Sequence, residues 1–253
     1  MDPFEEDSLA YRLLQRGEQA PASQQAPIDW IISIMSLTPE QYIRAGSGSV
    51  WHVRDLIPED SPRIRLLFVL ESPHVEELDA AAPVVGEAGK SALRFLQGAR
   101  WAGQSLGEFI VHKHAAGDAR LAVMNVSTVP LQRHAFERTG VLPGLTPQEW
   151  HWLGFTFRRS RAKTVDATPD PRANIVGRLL LDGLQKRTES LRLDSGCTVV
   201  ACGRFAQRYA RQLCGLPGAQ LEVPHPANNQ WHPRKKPVPN NLVRVRELFA
   251  EVA

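Results

Sequence analysis

Apolar and polar positions follow two rhythms along this chain. The first unbroken apolar run is Leu66-Leu67-Phe68-Val69-Leu70, and it stops at Glu71-Ser72-Pro73-His74. Apolar residues without alternation predict a strand buried on both faces, as in a parallel sheet covered by helices. Pro73 cannot continue a central strand. Apolar runs return at residues 120–126 and 197–201, which close on Asn125 and Cys202-Gly203, and a short fourth strand is read at 219–223, ending at Pro224-His225-Pro226. Between these runs the period changes. Residues 171–191 carry Ile175, Leu179, Leu180 and Leu184 on one helical stripe. Helices are also predicted at 92–97, 204–214 and 242–252, and one starts by capping-box logic at Thr146-Pro147-Gln148-Glu149. Strand and helix alternate, which predicts an α/β fold: a three-layer α/β/α sandwich around a four-stranded parallel sheet with right-handed crossovers.

Ahead of the first strand the pattern is weaker. Residues 5–16 are loosely helical, 19–27 read as a flexible linker rich in Gln, Ala, Ser and Pro, and 28–36 and 39–45 as short helices. Thr38-Pro39 supplies an N-cap followed by proline at the first helical position. Residues 1–60 are therefore expected to form an N-terminal helical extension, and 61–253 the main domain.

Composition narrows the class. Three cysteines without metal spacing predict a reduced, cytoplasmic protein with no disulfide framework. No apolar run is long enough to span a bilayer, so no membrane partner is expected, and the acidic start carries no secretory pattern. The net charge is only +3, but the positive residues cluster at 158–163, 204–211 and 234–236. Such clusters suit a polyanion and are equally the pattern of solvated faces.

In a parallel sheet the strand ends converge on one edge, where open α/β sheets bind ligands. That edge would gather a carboxylate, an amide, two imidazoles and a glycine turn. Pro83-Val84-Val85-Gly86-Glu87-Ala88-Gly89-Lys90-Ser91 follows an acidic turn and opens a helix, the pattern of an anion site. The long loop 127–144 is of a length that is usually functional or disordered. No metal motif stands out, since His112 and His114 do not share a helix face. Gly89-Lys90-Ser91 ends like a nucleotide-binding P-loop, but Val84 stands where that motif needs glycine and Gly86 is out of register.

From residue 63 onward the order of motifs resembles the uracil-DNA glycosylase superfamily, and most closely its iron–sulfur branch, families four and five. That branch carries a Gly-Glu-Ala-Pro-Gly turn, an acidic run and a Pro-Phe-Val-Gly-x-Ala-Gly helix opening. Here stand Leu70-Glu71-Ser72-Pro73-His74, then Glu76, Glu77 and Asp79, then Pro83-Val84-Val85-Gly86-Glu87-Ala88-Gly89. The branch's Asn-Val after its second strand is matched by Asn125-Val126, its strand–Gly–helix by Val199-Val200-Ala201-Cys202-Gly203-Arg204, and its His-Pro turn by Val223-Pro224-His225-Pro226. Three departures stand out. The cluster cysteines are absent, Val129 or its neighbours standing where one belongs, so no iron–sulfur cluster or other cofactor is expected. His74 replaces a glycine. Val84 replaces the aromatic residue that stacks on uracil.

The resemblance implies a DNA glycosylase that leaves an abasic site; with no lysine in the strand-end motifs to form a Schiff base it is expected to be monofunctional, and a monomer is expected. Breaking a base–sugar bond builds positive charge on the sugar and negative charge on the base. Glu71 is the candidate for the first and His225 for the second. Asn125 would read the base edge, with Ser72, Pro73, His74 and Val84 lining its pocket, after the base has left the stack. Gly86, Gly89, Lys90, Ser91, Arg234 and Lys235 would hold phosphates, and Asn229 and Trp231 would meet the DNA, Trp231 filling the vacated gap. The missing ring at Val84 suggests a bulky modified pyrimidine, such as the glucosylated hydroxymethylcytosine of some phage genomes. The alternatives are ordinary uracil repair, with Phe136 or Trp101 supplying the stack, and a binding module without catalysis.

Overall fold

A computed structural model describes residues 37–45, 49–58, 63–101, 103–139, 142–158, 163–231 and 237–253. The helices and linker expected before residue 37 lie outside these residues, as do Arg234 and Lys235. Four strands, β1 (Ile64–Leu70), β2 (Leu121–Asn125), β3 (Leu193–Cys202) and β4 (Gln220–Val223), form one sheet in the order β2-β1-β3-β4. All three pairings are parallel, as the apolar runs predict.

Strands β1 and β2 and the second half of β3 bury both faces, while the short edge strand β4 is buried only at Val223. Leu67, Val69, Ala122, Met124 and Val199 meet α1 (Pro39–Ala45), α5 (Pro147–Arg158), α6 (Pro171–Glu189) and α7 (Gly203–Ala210), through Tyr42, Leu153, Leu180 and Phe205. Leu66, Phe68, Leu70, Val123 and Val200 meet α3 (Glu87–Gln97), α4 (Leu106–Ala115) and α8 (Asn240–Val252), through Leu93, Ile110 and Phe249. Two such cores on one parallel sheet make the three-layer α/β/α sandwich. Ile64 faces the first layer although Leu66 faces the second, because the ladder with β3 shifts register between them.

The described part of the expected N-terminal extension belongs to this core. Tyr42, Trp51, Phe136 and Trp150 pack ring against ring at 5.8–6.2 Å, and the Tyr42 hydroxyl donates to the Pro130 carbonyl at 2.7 Å. Leu56 forms an isolated antiparallel bridge with Val123 on the outer edge of β2.

Two helices depart from the predicted pattern. The acidic stretch after His74 is a helix, α2 (Val75–Ala80), closed by Ala81 in the left-handed region. Helix α4 occupies a stretch predicted without regular structure. Its start carries a capping box, Ser105 accepting from the Glu108 N–H at 3.2 Å while the Glu108 carboxylate accepts from the Ser105 N–H at 2.7 Å. Helix α3 starts at Glu87 rather than 92, and α7 ends at Ala210 rather than 214.

Candidate active site

The carboxyl ends of the strands open on a cleft of about 500 Å³. The turn after β1 gives it Glu71, Ser72, Pro73 and His74. Asn125 closes β2, Val84 and Gly86 precede α3, and His225 follows β4. The structure thus brings together eight residues singled out from the sequence.

Glu71 is largely buried and its carboxylate has no hydrogen-bond partner among the described residues. Desolvation alone raises its pKa from 4.5 to about 7. His225 is shifted the other way, to about 4, by burial and by the nearby His74. Its Nδ1 accepts from the Ala227 N–H at 3.1 Å. A neutral imidazole with an accepting Nδ1 carries its proton on Nε2, so His225 offers one N–H donor over the neutral range.

Gly203 lets these two approach. It begins α7 with φ +88°, and a side chain there would meet His225 Cβ at 3.0 Å and Glu71 Oε1 at 3.3 Å. Glu71 and His225 also line a second cleft of about 620 Å³, with Gly203, Arg204 and Gln230. The pair forms the partition between the two spaces and is reachable from both.

The opposite wall is strained. Val84 has φ +59°, an uncommon conformation for a β-branched residue. Its N–H donates to the Glu77 carboxylate, its carbonyl accepts from the Gly107 N–H at 3.1 Å, and a side chain on Gly89 would stand 1.7 Å from that carbonyl. The surroundings therefore fix a backbone geometry that the sequence disfavours. Glu77 also accepts from the His74 N–H at 2.9 Å, tying the β1 turn to the Val84 turn. Burial pushes the Glu77 carboxyl up to about 7, against the effect of these two bonds.

Polar groups cover the remaining side. His74 Nε2 lies 2.8 Å from His134 Nε2, so one ring donates to the other. Gln132, from the loop after β2, also lines the cleft. Asn125 is only 2% exposed, and its Nδ2 has no hydrogen-bond partner among the described residues. A buried amide donor without a protein partner is uncommon, and this one stands on the wall of a cleft. Glu77, Gln132 and His134 were not singled out from the sequence. The length of loop 127–144 was the one signal for the last two.

Other expectations need correction. Trp231 is 1% exposed, packs edge-on against Phe95 at 6.0 Å and donates its indole N–H to the Pro224 carbonyl at 2.7 Å. It is a core residue, and filling a gap in DNA would require extracting it. Gly89 is buried against the Val84 carbonyl, so its lack of a side chain serves packing rather than phosphate approach. Lys90 and Ser91 do not line the cleft, which meets α3 through Gly86, Glu87 and Ala88. The Lys90 ammonium pairs with Glu87 at 2.9 Å. Helix α2 lies between β1 and α3, so the direct strand-to-helix link of a P-loop is not formed. Asn229 lies in a short 3₁₀ turn, Ala227–Asn229, after His225. Phe136 and Trp101 pack against Trp51 and Phe109, and neither ring lines the cleft.

Among the described residues no helix is long and apolar enough to cross a membrane. No protein-family model matches the sequence, and no curated protein matches it.

Proposed function

We propose that this protein is a monofunctional DNA glycosylase of the uracil-DNA glycosylase superfamily, hydrolysing the bond between a flipped pyrimidine and its sugar. The observation that carries this reading is the Glu71–His225 pair: two partly buried groups on converging strand ends, lining the same two clefts, with pKa values driven apart, to about 7 and about 4. Ionised Glu71 is suited to stabilise the positive charge that builds on the sugar, or to activate water reached through the second cleft. Neutral His225 donates from Nε2 to the base oxygen as negative charge develops there, inside a site with little water to compete. The Asn125 carboxamide has a free donor for the polar edge of the base. None of the described residues lining the cleft is a lysine, so no Schiff base and no strand cleavage are expected.

The base that fits best is a modified pyrimidine bulkier than uracil. None of the described residues lining the cleft is Phe, Tyr or Trp, so these residues supply none of the stacking contribution of about 1–3 kcal/mol per base. In its place are Val84 and the polar groups of Gln132 and of His74, whose ring pairs with His134; these suit a substituent bearing hydroxyls. Glucosylated hydroxymethylcytosine has that chemistry, and excising it would make the enzyme an antiviral device acting in the cytoplasm.

The test is incubation with DNAs carrying uracil, hydroxymethylcytosine or glucosylated hydroxymethylcytosine, with released bases read by mass spectrometry. Glu71→Gln and His225→Ala are each expected to slow release by about a hundred- to a thousand-fold while the fold is kept. Near-wild-type rates in both would exclude the assigned roles. Release of uracil alone would make the protein an ordinary repair glycosylase. Binding of DNA without release of any base would leave a non-catalytic module.

A further inference from the structure

Among the described residues β2 is an edge strand, and no further strand runs along the outer side of its backbone. Val123 is served by the backbone of Leu56, which exchanges two hydrogen bonds with it at 2.9 and 3.0 Å. Two residues on, at Asn125, the same edge is served by side chains. The Asp55 carboxylate accepts from the Asn125 N–H at 3.1 Å. Arg187, from the last turn of α6, donates Nη2 to the Asn125 carbonyl at 2.7 Å and to the Val126 carbonyl at 2.9 Å. Its Nη1 pairs with Asp55. The Asp55 side chain is 9% exposed and that of Arg187 27%, so the pair is largely withdrawn from water.

We infer that Asp55 and Arg187 are positioning residues that fix where the Asn125 carboxamide stands in the cleft. This inference deepens the glycosylase reading and rests on it. Both backbone groups of Asn125 are gripped by one ion pair, while its side-chain Nδ2 has no protein partner among the described residues. The amide's position is therefore set from the backbone outwards. A misplaced reading group loses discrimination and rate, because productive geometry tolerates little displacement. A planar guanidinium suits this task, since it reaches a carboxylate and two carbonyls at once; a lysine ammonium cannot present that fork.

The test is a double-mutant cycle on whichever base the wild-type protein releases. Removing one charge alone would leave the other buried and unpaired, so the pair is neutralised together as Arg187→Met with Asp55→Asn. This change is expected to lower kcat/KM about ten-fold, with Arg187→Lys intermediate, and to have no further effect when Asn125 is already alanine. Losses that add in the Asn125→Ala background would show a general structural role and overturn the inference. Amide hydrogen exchange in the free protein is the second readout. At least ten-fold faster exchange at Asn125, with Val123 unchanged, is expected; unchanged exchange at Asn125 overturns the inference. If the wild-type protein releases no base, the glycosylase reading falls while the exchange measurement still decides the clamp.

Discussion

Glu71 titrates near 7 in the folded protein against 4.5 for an unperturbed carboxyl, so the folded state retains a proton that the unfolded chain has released. Stability is therefore lost as pH rises from about 4.5 through 7, and the full cost, of order 3 kcal/mol, is present above that window. Glu71→Gln is expected to stabilise the protein at pH 8 by about 1–3 kcal/mol and to change little at pH 5. Urea denaturation at the two pH values measures the difference. His225 behaves oppositely. Its folded value near 4 lies below the usual 6.5, so it costs stability as pH falls from 6.5 through 4. Activity follows the same groups: kcat/KM for base release is expected to rise with pH through about 7, as Glu71 ionises, with His225 neutral throughout. A profile that falls over that range would remove Glu71 from the ionised role.

Two turns hold the site, and each depends on an absent side chain. At the start of α7, Gly203 combines a left-handed φ with contact to both His225 and Glu71. Gly203→Ala is expected to slow base release by more than ten-fold, because the new methyl would stand 3.0 Å from His225 Cβ. At α3, Gly89 accepts the Val84 carbonyl into the space of its missing Cβ. Gly89→Ala is expected to destabilise the fold by about 3 kcal/mol or more, since the obstructing atom is backbone and cannot swing aside. Thermal unfolding and single-turnover rates on the two variants separate the effects. Both variants should lose stability, Gly203→Ala through its left-handed φ and Gly89→Ala through the carbonyl clash, and Gly203→Ala should show the larger loss of rate relative to its loss of stability.

For the whole molecule, the sheet order decides what can meet. Glu71 leaves the inner strand β1, Asn125 the edge strand β2 and His225 the opposite edge strand β4, and parallel pairing puts all three carboxyl ends on one side. None of the described residues lining the cleft is Lys or Arg. Glu76 and Glu87 line it, and Lys90 is paired with Glu87. Duplex DNA would then be gripped through the Arg234-Lys235-Lys236 segment, which follows the His225 turn in the sequence. Arg234→Ala with Lys235→Ala is expected to flatten the slope of log affinity against log salt by about 1.8, about 0.9 for each phosphate no longer neutralised. An unchanged slope would exclude that segment from the DNA interface.

Strands β1, β2 and β3 were legible because burial on both faces demands apolar runs, and each run ends in a polar residue or glycine; β4, with alternating Gln220, Leu221, Glu222 and Val223, was legible from its place before the Pro224-His225-Pro226 turn. From those runs and that turn came the parallel sheet and the convergence of Glu71, Asn125 and His225. Helix α4 was legible in principle, through the Ser105–Glu108 capping box, but α2 was hidden by its shortness: Val75 is its one buried residue. Tertiary structure decided the rest. Trp231 reads from sequence like an exposed loop residue beside the site, yet a large apolar ring gains more from the core against Phe95 than from solvent. Gly89 and Lys90 read from sequence like a phosphate turn, yet Gly89 packs on the Val84 carbonyl and the Lys90 ammonium pairs with Glu87 on the surface. Asp55 and Arg187 lie 132 positions apart and carry no local pattern. Only the folding of α6 against the edge of β2 puts that ion pair on the backbone of Asn125, because contacts between distant segments are fixed by packing rather than by any spacing along the chain.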